Sequence, residues 1–482
     1  MSETVAPVTG VQTVRAEATQ LHRGALGLVD VLFQAITHMG PSVSVVFLFP
    51  LIALNAGAAM PISLALAVLV GLVIANTVAE FSRYIPSSGG YFTFVGQGLG
   101  PRWGFLTAWS YFAYDPLTPP AVLGFLGFLM ADILQTNTGI NIPWWVFGGA
   151  FILLVWGLTY RGIRISTRTA VIMGSLELLL VFALGITFLI HPGPGSSATA
   201  PLNPGTSPTG ISGILYGVAF SITALSGFES AAPLAEETRR PKEFLSKAIM
   251  LSVVMVGVFF IFMSYASAIG WGTSNLAAFA TNANPYYVLA HKLWGPVWFL
   301  IFIALLNGAL AIGIAATNAG SRVAYTMARG GALPAPLTRV HPVHRTPSTA
   351  IHVQTILSLG LMAIVGIWLG GGLVFGFLGT VITVGLIVMY GIANIALVVF
   401  FRRMRRDEFN IWRHGVIPIL GTLLLLPVLW VTFWPIPAFP FNIVPYIFIA
   451  WMVIGFVAMK WIDNRRPQAL RESAALLATA EE

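Results

Sequence analysis

The chain of 482 residues contains no cysteine, which removes disulfides, thiolate catalysis and zinc–thiolate centres together. Charge is nearly as scarce: Asp, Glu, Lys and Arg supply 9% of the residues, against ~25% in ordinary soluble domains. A water-soluble fold is excluded on that ground. Signatures of catalysis are also missing, with no GxSxG, HExxH, GxxxxGK[ST] or DxD-like acid pair in a loop. His341 and His344 have no acid or thiol beside them to complete a metal site and read as loop residues. No metal, no cofactor and no enzymatic activity are expected.

What the chain has in abundance is apolar surface: 57% of residues are hydrophobic and 12% aromatic, so lipid is the solvent for most of it. Twelve stretches are long enough to cross about 30 Å of hydrocarbon. They run approximately 28–53, 61–82, 103–134, 143–160, 169–190, 211–234, 247–270, 297–320, 350–369, 372–401, 416–434 and 441–462. An all-α membrane protein with twelve transmembrane helices is expected, flanked by polar tails at 1–24 and 463–482. The first twenty residues hold no apolar core of a leader, so the first span is expected to act as its own anchor.

An even number of spans puts both termini on one side, and the basic residues say which. They fall on the terminus side from Arg15 and Arg23 through Arg402, Arg403, Arg405, Arg406 and Arg413 to Lys460, Arg465, Arg466 and Arg471. Of the 25 Lys and Arg, only Lys292 falls on the other side. Positive loops stay cytoplasmic, so both termini are expected inside a cytoplasmic membrane, and the net charge of +8 records orientation rather than nucleic-acid binding. The same basic loops lie where anionic membrane lipids would meet them.

Two spans carry helix breakers near their middle. Span 1 holds Thr37-His38-Met39-Gly40-Pro41-Ser42, where Pro41 lacks an N–H and disfavours helix at Gly40. Span 6 holds Ser226-Gly227-Phe228-Glu229-Ser230, with Pro233 shortly after. Irregular backbone is tolerated in a membrane only where protein or a watery cavity surrounds it. These are the leading spans of two consecutive five-span units, 1–5 and 6–10, the second inserted from the opposite face because five is odd. Matched breaks in such an inverted repeat point to a central solute site. Packing kinks are the alternative reading of either break alone.

Ionisable groups inside the spans need a compensating role. Glu229 lies in the second break. Glu177 sits roughly 12 Å into span 5, beyond comfortable snorkelling, and is the leading candidate for proton coupling. Asp115, beside Tyr114 in span 3, either pairs with an amine or caps a helix disturbed by Pro116, Pro119 and Pro120. His38 carries an imidazole suited to switching near neutrality, or serves as a satisfied hydrogen-bonder. Asp132, near the outer end of span 3, reads as interfacial.

Several segments resemble the amino acid, polyamine and organocation transporter superfamily. Pro86-Ser87-Ser88-Gly89-Gly90-Tyr91 with Gly100-Pro101-Arg102-Trp103-Gly104-Phe105 is similar to that family's P-[SA]-x-G-G-x-Y and G-P-x-x-G-F. Gly227-Phe228-Glu229 followed by Ala235-Glu236-Glu237-Thr238-Arg239-Arg240-Pro241 resembles its G-[FV]-E and A-x-E-x-[KR]-x-P. Ser321-Arg322-Val323-Ala324-Tyr325-Thr326-Met327-Ala328-Arg329 with Gly331-Ala332-Leu333-Pro334 resembles its S-R-x-x-Y-x-M-[AS]-R-x-G-x-L-P.

The resemblance implies a LeuT-like core over 25–401, with repeat one at about 25–190 and repeat two at about 211–401, and two further helices within 402–462. It implies alternating access, a substrate held at the broken helices by Thr37, His38, Met39, Gly40, Pro41 and Ser42, and by Thr223, Ser226, Gly227 and Phe228. Tyr114 and Asp115 join them, with Glu229 as a gate or proton-sensitive acid. Glu177 falls where some proton-driven relatives carry a lysine. Two departures matter. Pro41-Ser42-Val43 stands where α-amino acid carriers have G-x-G, which removes one carboxylate donor. Val297 to Ala316 holds no hydroxyl for a sodium site, which favours protons over sodium. The expected function is proton-coupled import of an amino acid, with a polyamine or other organic-amine importer or exchanger as the alternative. A membrane-embedded lipid-modifying enzyme would need paired acids or His at a membrane face, and the intramembrane acids here are scattered singly over spans 3, 5 and 6.

Overall fold

The computed structural model describes residues 21–282 and 284–465. Arg15, Arg466 and Arg471, with most of the two polar tails, lie outside the described residues. Within them the secondary structure is helical apart from one isolated bridge between Leu26 and Thr238. The first span is two helices, α1 (Leu28–Met39) and α2 (Pro41–Ala56), followed by α3 (Met60–Tyr84). A short α4 (Tyr91–Leu99) precedes α5 (Pro101–Tyr111) and α6 (Thr118–Thr138), then α7 (Trp144–Tyr160) and α8 (Ile163–Ile190). The second half runs α9 (Ile211–Ala224), a 3₁₀ segment Phe228–Glu237, and α10 (Pro241–Trp271). Two short helices, α11 (Leu276–Thr281) and α12 (Pro285–Trp294), lead to α13 (Phe299–Arg329), α14 (Ser348–Leu369) and α15 (Val374–Met404). The chain closes with α16 (Ile417–Phe433) and α17 (Val444–Arg465).

Among the described residues ten helical stretches are long and apolar enough to cross a membrane, with Leu28–Tyr84 taken as one and α7 apolar but shorter. Pro41, Pro101 and Pro241 each open a helix, where the N–H has no partner anyway, whereas Pro50 and Pro427 lie inside α2 and α16. Glycine caps the ends of α1, α6, α10 and α14 among others.

Packing joins several helices of the first half to helices of the second. Helix α2 lies on α9, and α1 lies on the 3₁₀ segment; α3 lies on α10, α6 on α13 and α7 on α14. The α3–α10 pair is the most intimate because small residues face each other: a Cβ on Gly257 would come within 2.6 Å of Val68. Beyond this core, α16 packs on α15 and α3, and α17 on α15 and α5. Trp109 and Trp451 fasten α17, each indole N–H donating to the other residue's carbonyl at 2.8 Å with the rings stacked at 4.6 Å.

Three features differ from expectation. Span 3 is broken as well, between Tyr111 and Thr118, with Asp115–Leu117 in a 3₁₀ turn. Pro116 cannot donate to the preceding turn, whereas Pro119 and Pro120 fall in the first turn of α6 and disturb nothing. The eighth span is longer than its apolar core, because α13 continues to Arg329 with Arg322 buried. The connection before it, 271–296, lies outside the expected spans yet carries the short helices α11 and α12.

Candidate functional site

The two principal breaks lie against each other. Gly40 adopts φ 55°, ψ 67°, and donates its N–H to the Thr37 carbonyl at 3.1 Å, ending α1 before Pro41 starts α2. Gly227 adopts φ 118°, a region that side chains with a Cβ rarely enter. A Cβ there would lie 2.8 Å from the His38 carbonyl carbon and 2.9 Å from the Met39 nitrogen. Backbone touches backbone, and only glycine permits it. Around this contact Ser44 donates to the Met39 carbonyl at 2.9 Å, and Ser230 to the Gln34 carbonyl at 3.3 Å. Thr223 accepts from Ser226 through its carbonyl at 2.7 Å.

A buried polar cluster sits beside the breaks. His38 Nε2 is 3.1 Å from Asp115 Oδ1, an ion-pair distance without the alignment of a hydrogen bond. The second Asp115 oxygen accepts from the Tyr111 hydroxyl in a very short bond. His38 stacks on Tyr114 with ring centres 5.8 Å apart. Glu229 Oε2 accepts from the Tyr390 hydroxyl at 2.8 Å and from the Gly227 N–H at 3.2 Å, while Phe228 stacks on Tyr390. Several polar atoms here keep no protein partner: the hydroxyls of Tyr91 and Tyr114, Glu229 Oε1 and His38 Nδ1. Buried groups of this kind carry a cost unless water or a ligand meets them.

Glu177 reaches the first break from the other side. Its Oε1 accepts the Ser42 N–H at 2.5 Å, and Ser42 donates its hydroxyl to the Ala304 carbonyl at 3.1 Å. Spans 1, 5 and 8 thus meet at one point, and Gly308 leaves the room: a Cβ there would sit 2.5 Å from Glu177 Oε1. The carboxylate occupies the N-terminus of α2, where the helix dipole favours an anion.

The amino acid permease family model matches residues 26–458 of this chain. The chain belongs to that family. This permease is similar to the branched-chain amino acid permease BcaP of Bacillus subtilis (strain 168), at 25% identity over 84% of this chain and 86% of the relative. It is also similar to the low-affinity putrescine importer PlaP of Escherichia coli (strain K12), at 25% identity over 71% of this chain and 75% of the relative. A further relative is the serine/threonine exchanger SteT of Bacillus subtilis (strain 168), 26% identical over 60% of this chain and 64% of the relative. The family and these relatives are transporters, so this permease is a multi-pass integral membrane transporter of small solutes rather than an enzyme.

The structure brings together His38, Met39, Gly40, Tyr114, Asp115, Gly227, Phe228 and Glu229. Thr37 is buried against α8, where a Cβ on Gly174 would touch it at 2.6 Å, and its hydroxyl is spent on the Phe33 carbonyl at 2.6 Å. Pro41 offers no donor, and the Ser42 N–H is already taken. Sequence reasoning missed Tyr390, Tyr111, Gln34 and Gly308. A phenol midway along an apolar span, as at Tyr390, was the available signal, because its hydroxyl must find a partner in lipid. His341 and His344 stack at 4.5 Å in the connection before α14, and no metal-holding group occurs among the described residues.

Opposite ends of this permease are closed differently. At the arginine-rich end Arg322 forms a forked pair with Glu237, both fully buried, and donates to the Asn318 carbonyl at 2.9 Å. Arg329 pairs with Glu236 at 3.0 Å beside it. At the other end an open cavity of about 210 Å³ descends to Phe47. Phe47, Phe125 and Phe375 form a triangle of rings with centres 4.8–5.8 Å apart. A second void below the rim holds only about 10 Å³ and reaches Val43, one residue past Ser42. That is no more than about one water needs. The path to the break is shut there by apolar side chains alone.

Proposed function

We propose that this permease imports an amino acid across the cytoplasmic membrane by alternating access, driven by protons, with both termini in the cytoplasm. Twelve spans arranged as a five-plus-five inverted repeat fit the pairing of spans 1 with 6, 2 with 7, 3 with 8 and 4 with 9. The gathering of every Lys and Arg except Lys292 at one end supports the orientation, and it favours anionic lipid headgroups over nucleic acid as their neighbours. The substrate class rests on the branched-chain permease relative and on the apolar lining above the break.

One observation carries the coupling: the Glu177 carboxylate occupies the Ser42 N–H, the donor that a solute carboxylate would use. Two anions compete for one helix N-terminus. Protonating Glu177 removes its charge from that end and releases the donor, so a proton and a zwitterion bind together better than either binds alone. Linkage of this kind is symport. His38 and Asp115 hold each other, while Glu229, anchored by Tyr390, belongs to the same buried cluster and acts as its gate. A unit charge moved across 100 mV is worth ~2.3 kcal/mol, about 50-fold accumulation for each proton carried.

Labelled leucine uptake into proteoliposomes tests this reading. An inward proton gradient should accelerate uptake, and Glu177→Gln should weaken gradient-driven uptake more than leucine–leucine exchange. Uptake indifferent to the gradient would instead describe a facilitator or exchanger, and a sodium gradient that alone drives uptake would transfer the coupling to sodium. The alternative substrate, an organic amine, is favoured by the two buried acids Asp115 and Glu229 and by the putrescine-importing relative. Competition by putrescine at concentrations where leucine does not compete would select it.

A further inference from the structure

We infer that the open cavity at the lysine-bearing end is a separate recognition site for an organic ammonium with an apolar body, where the solute is captured before the central site admits it. This inference rests on the transport reading above. The cavity, about 210 Å³, is walled by Phe47, Trp298, Ile301, Phe302 and Leu305, and Asp132 lies on its side. Asp132 is the sole carboxylate at that end among the described residues, and no basic side chain lines the cavity. It also has no ion-pair partner among them. Tyr287 meets Trp298 edge to face with centres 4.8 Å apart, so ring faces border the same space. An acid in an apolar, aromatic-walled cleft concentrates cations, and ring faces add to their hold. No cationic side chain meets a carboxylate here, and the polar side chains Thr136, Asn137 and Asn284 on the wall are uncharged. The site therefore selects for the ammonium and apolar body of a solute and ignores its acid group. The triangle Phe47, Phe125 and Phe375 separates it from the first break, which makes it a distinct compartment on the same path.

The natural absence of cysteine makes the test direct. Thr136→Cys places a single thiol on the cavity wall, and purified protein in detergent exposes it to a maleimide whatever its orientation. Isoamylamine, which keeps the body of leucine without its carboxylate, should slow alkylation; isovalerate, which keeps the body without the amine, should not. Adding Asp132→Asn should weaken protection by isoamylamine about fivefold, the scale of a solvent-screened ion pair. Asn137→Cys repeats the measurement from a second point on the wall. Protection by isovalerate equal to that by isoamylamine, no protection by either, or protection indifferent to Asp132 would each overturn the inference. Loss of gradient-driven uptake in liposomes leaves the labelling result standing, so failure of the transport reading is told apart from failure of the site.

Discussion

Replacing Gly227 by alanine isolates the contact between the two breaks. The new methyl would stand 2.8 Å from the His38 carbonyl carbon and 3.0 Å from its oxygen, and both are backbone atoms that no rotamer change can move aside. Forcing a residue with a Cβ into φ 118° costs about 1–3 kcal/mol, and overlap in a packed interior about 1–3 kcal/mol more. Together these remove about 2–6 kcal/mol from a total that is about 5–15 for a whole domain. Gly210→Ala is the matched control: its φ is 66° and a Cβ there would meet nothing within 4 Å, so it carries backbone strain without the collision. The difference between the two variants in thermal unfolding, measured in detergent, reads the collision together with the difference in strain between ψ −15° at Gly227 and ψ −142° at Gly210. Gly227→Ala should unfold at clearly lower temperature than Gly210→Ala, and the fraction that remains folded should transport poorly. Equal stability of the two variants with wild-type uptake in both would refute the backbone contact and the site built on it.

Gly308→Ala should push Glu177 off the Ser42 N–H, because its methyl would fall 2.3 Å from Ser42 Oγ; liposome assays should show the same loss of gradient dependence as Glu177→Gln. Arg322→Ala leaves Glu237 buried without its partner and should cost about 3–5 kcal/mol in thermal stability. The double change Arg322→Ala with Glu237→Ala should recover part of that, and an additive loss would argue against the pair. Tyr390→Phe removes one donor from Glu229 and should cost about 1.5–3 kcal/mol as a bond to a charged group, read as weaker ligand-induced stabilisation with little change in expression. Outside the spans, slight burial and then neighbouring His344 hold the His341 imidazole below its ordinary value of 6.5. Its neutral Nδ1 accepts the N–H of Val343 and His344, so this support is complete above 6.5 and lost as pH falls through the lower folded-state value. Amide exchange in this loop should rise over that range, and His341→Ala should abolish the pH dependence.

Helix positions were legible because their cause is local: apolar length, proline at helix starts and glycine at breaks all lie within a few residues of one another. The breaks at Gly40 and Gly227 were readable for the same reason. Their mutual contact was not, because nothing in either segment states which backbone the other will touch. Asp115 carried two readings, an amine partner or a helix cap; its side chain makes no cap hydrogen bond, and instead accepts from Tyr111 and faces His38. Glu177 was visible as a buried acid, yet its partner, an amide 135 positions away, is a property of tertiary packing. Tyr390 and Gly308 looked like ordinary members of apolar helices; one supplies a hydroxyl and the other an empty volume, and a void has no signature in composition. Arg322 counted toward orientation in the sequence, but the length of α13 carries it inside the protein.

The segment from Phe228 to Glu237 keeps 3₁₀ winding over ten residues, well beyond the usual three or four. At about 2.0 Å per residue it spans about 20 Å, whereas α winding would need about 15 Å. A change of pitch alone would draw its far end back by about 5 Å with Gly227 held in place. Glu237 rides on that far end, so such a change of winding would carry away the carboxylate that grips Arg322.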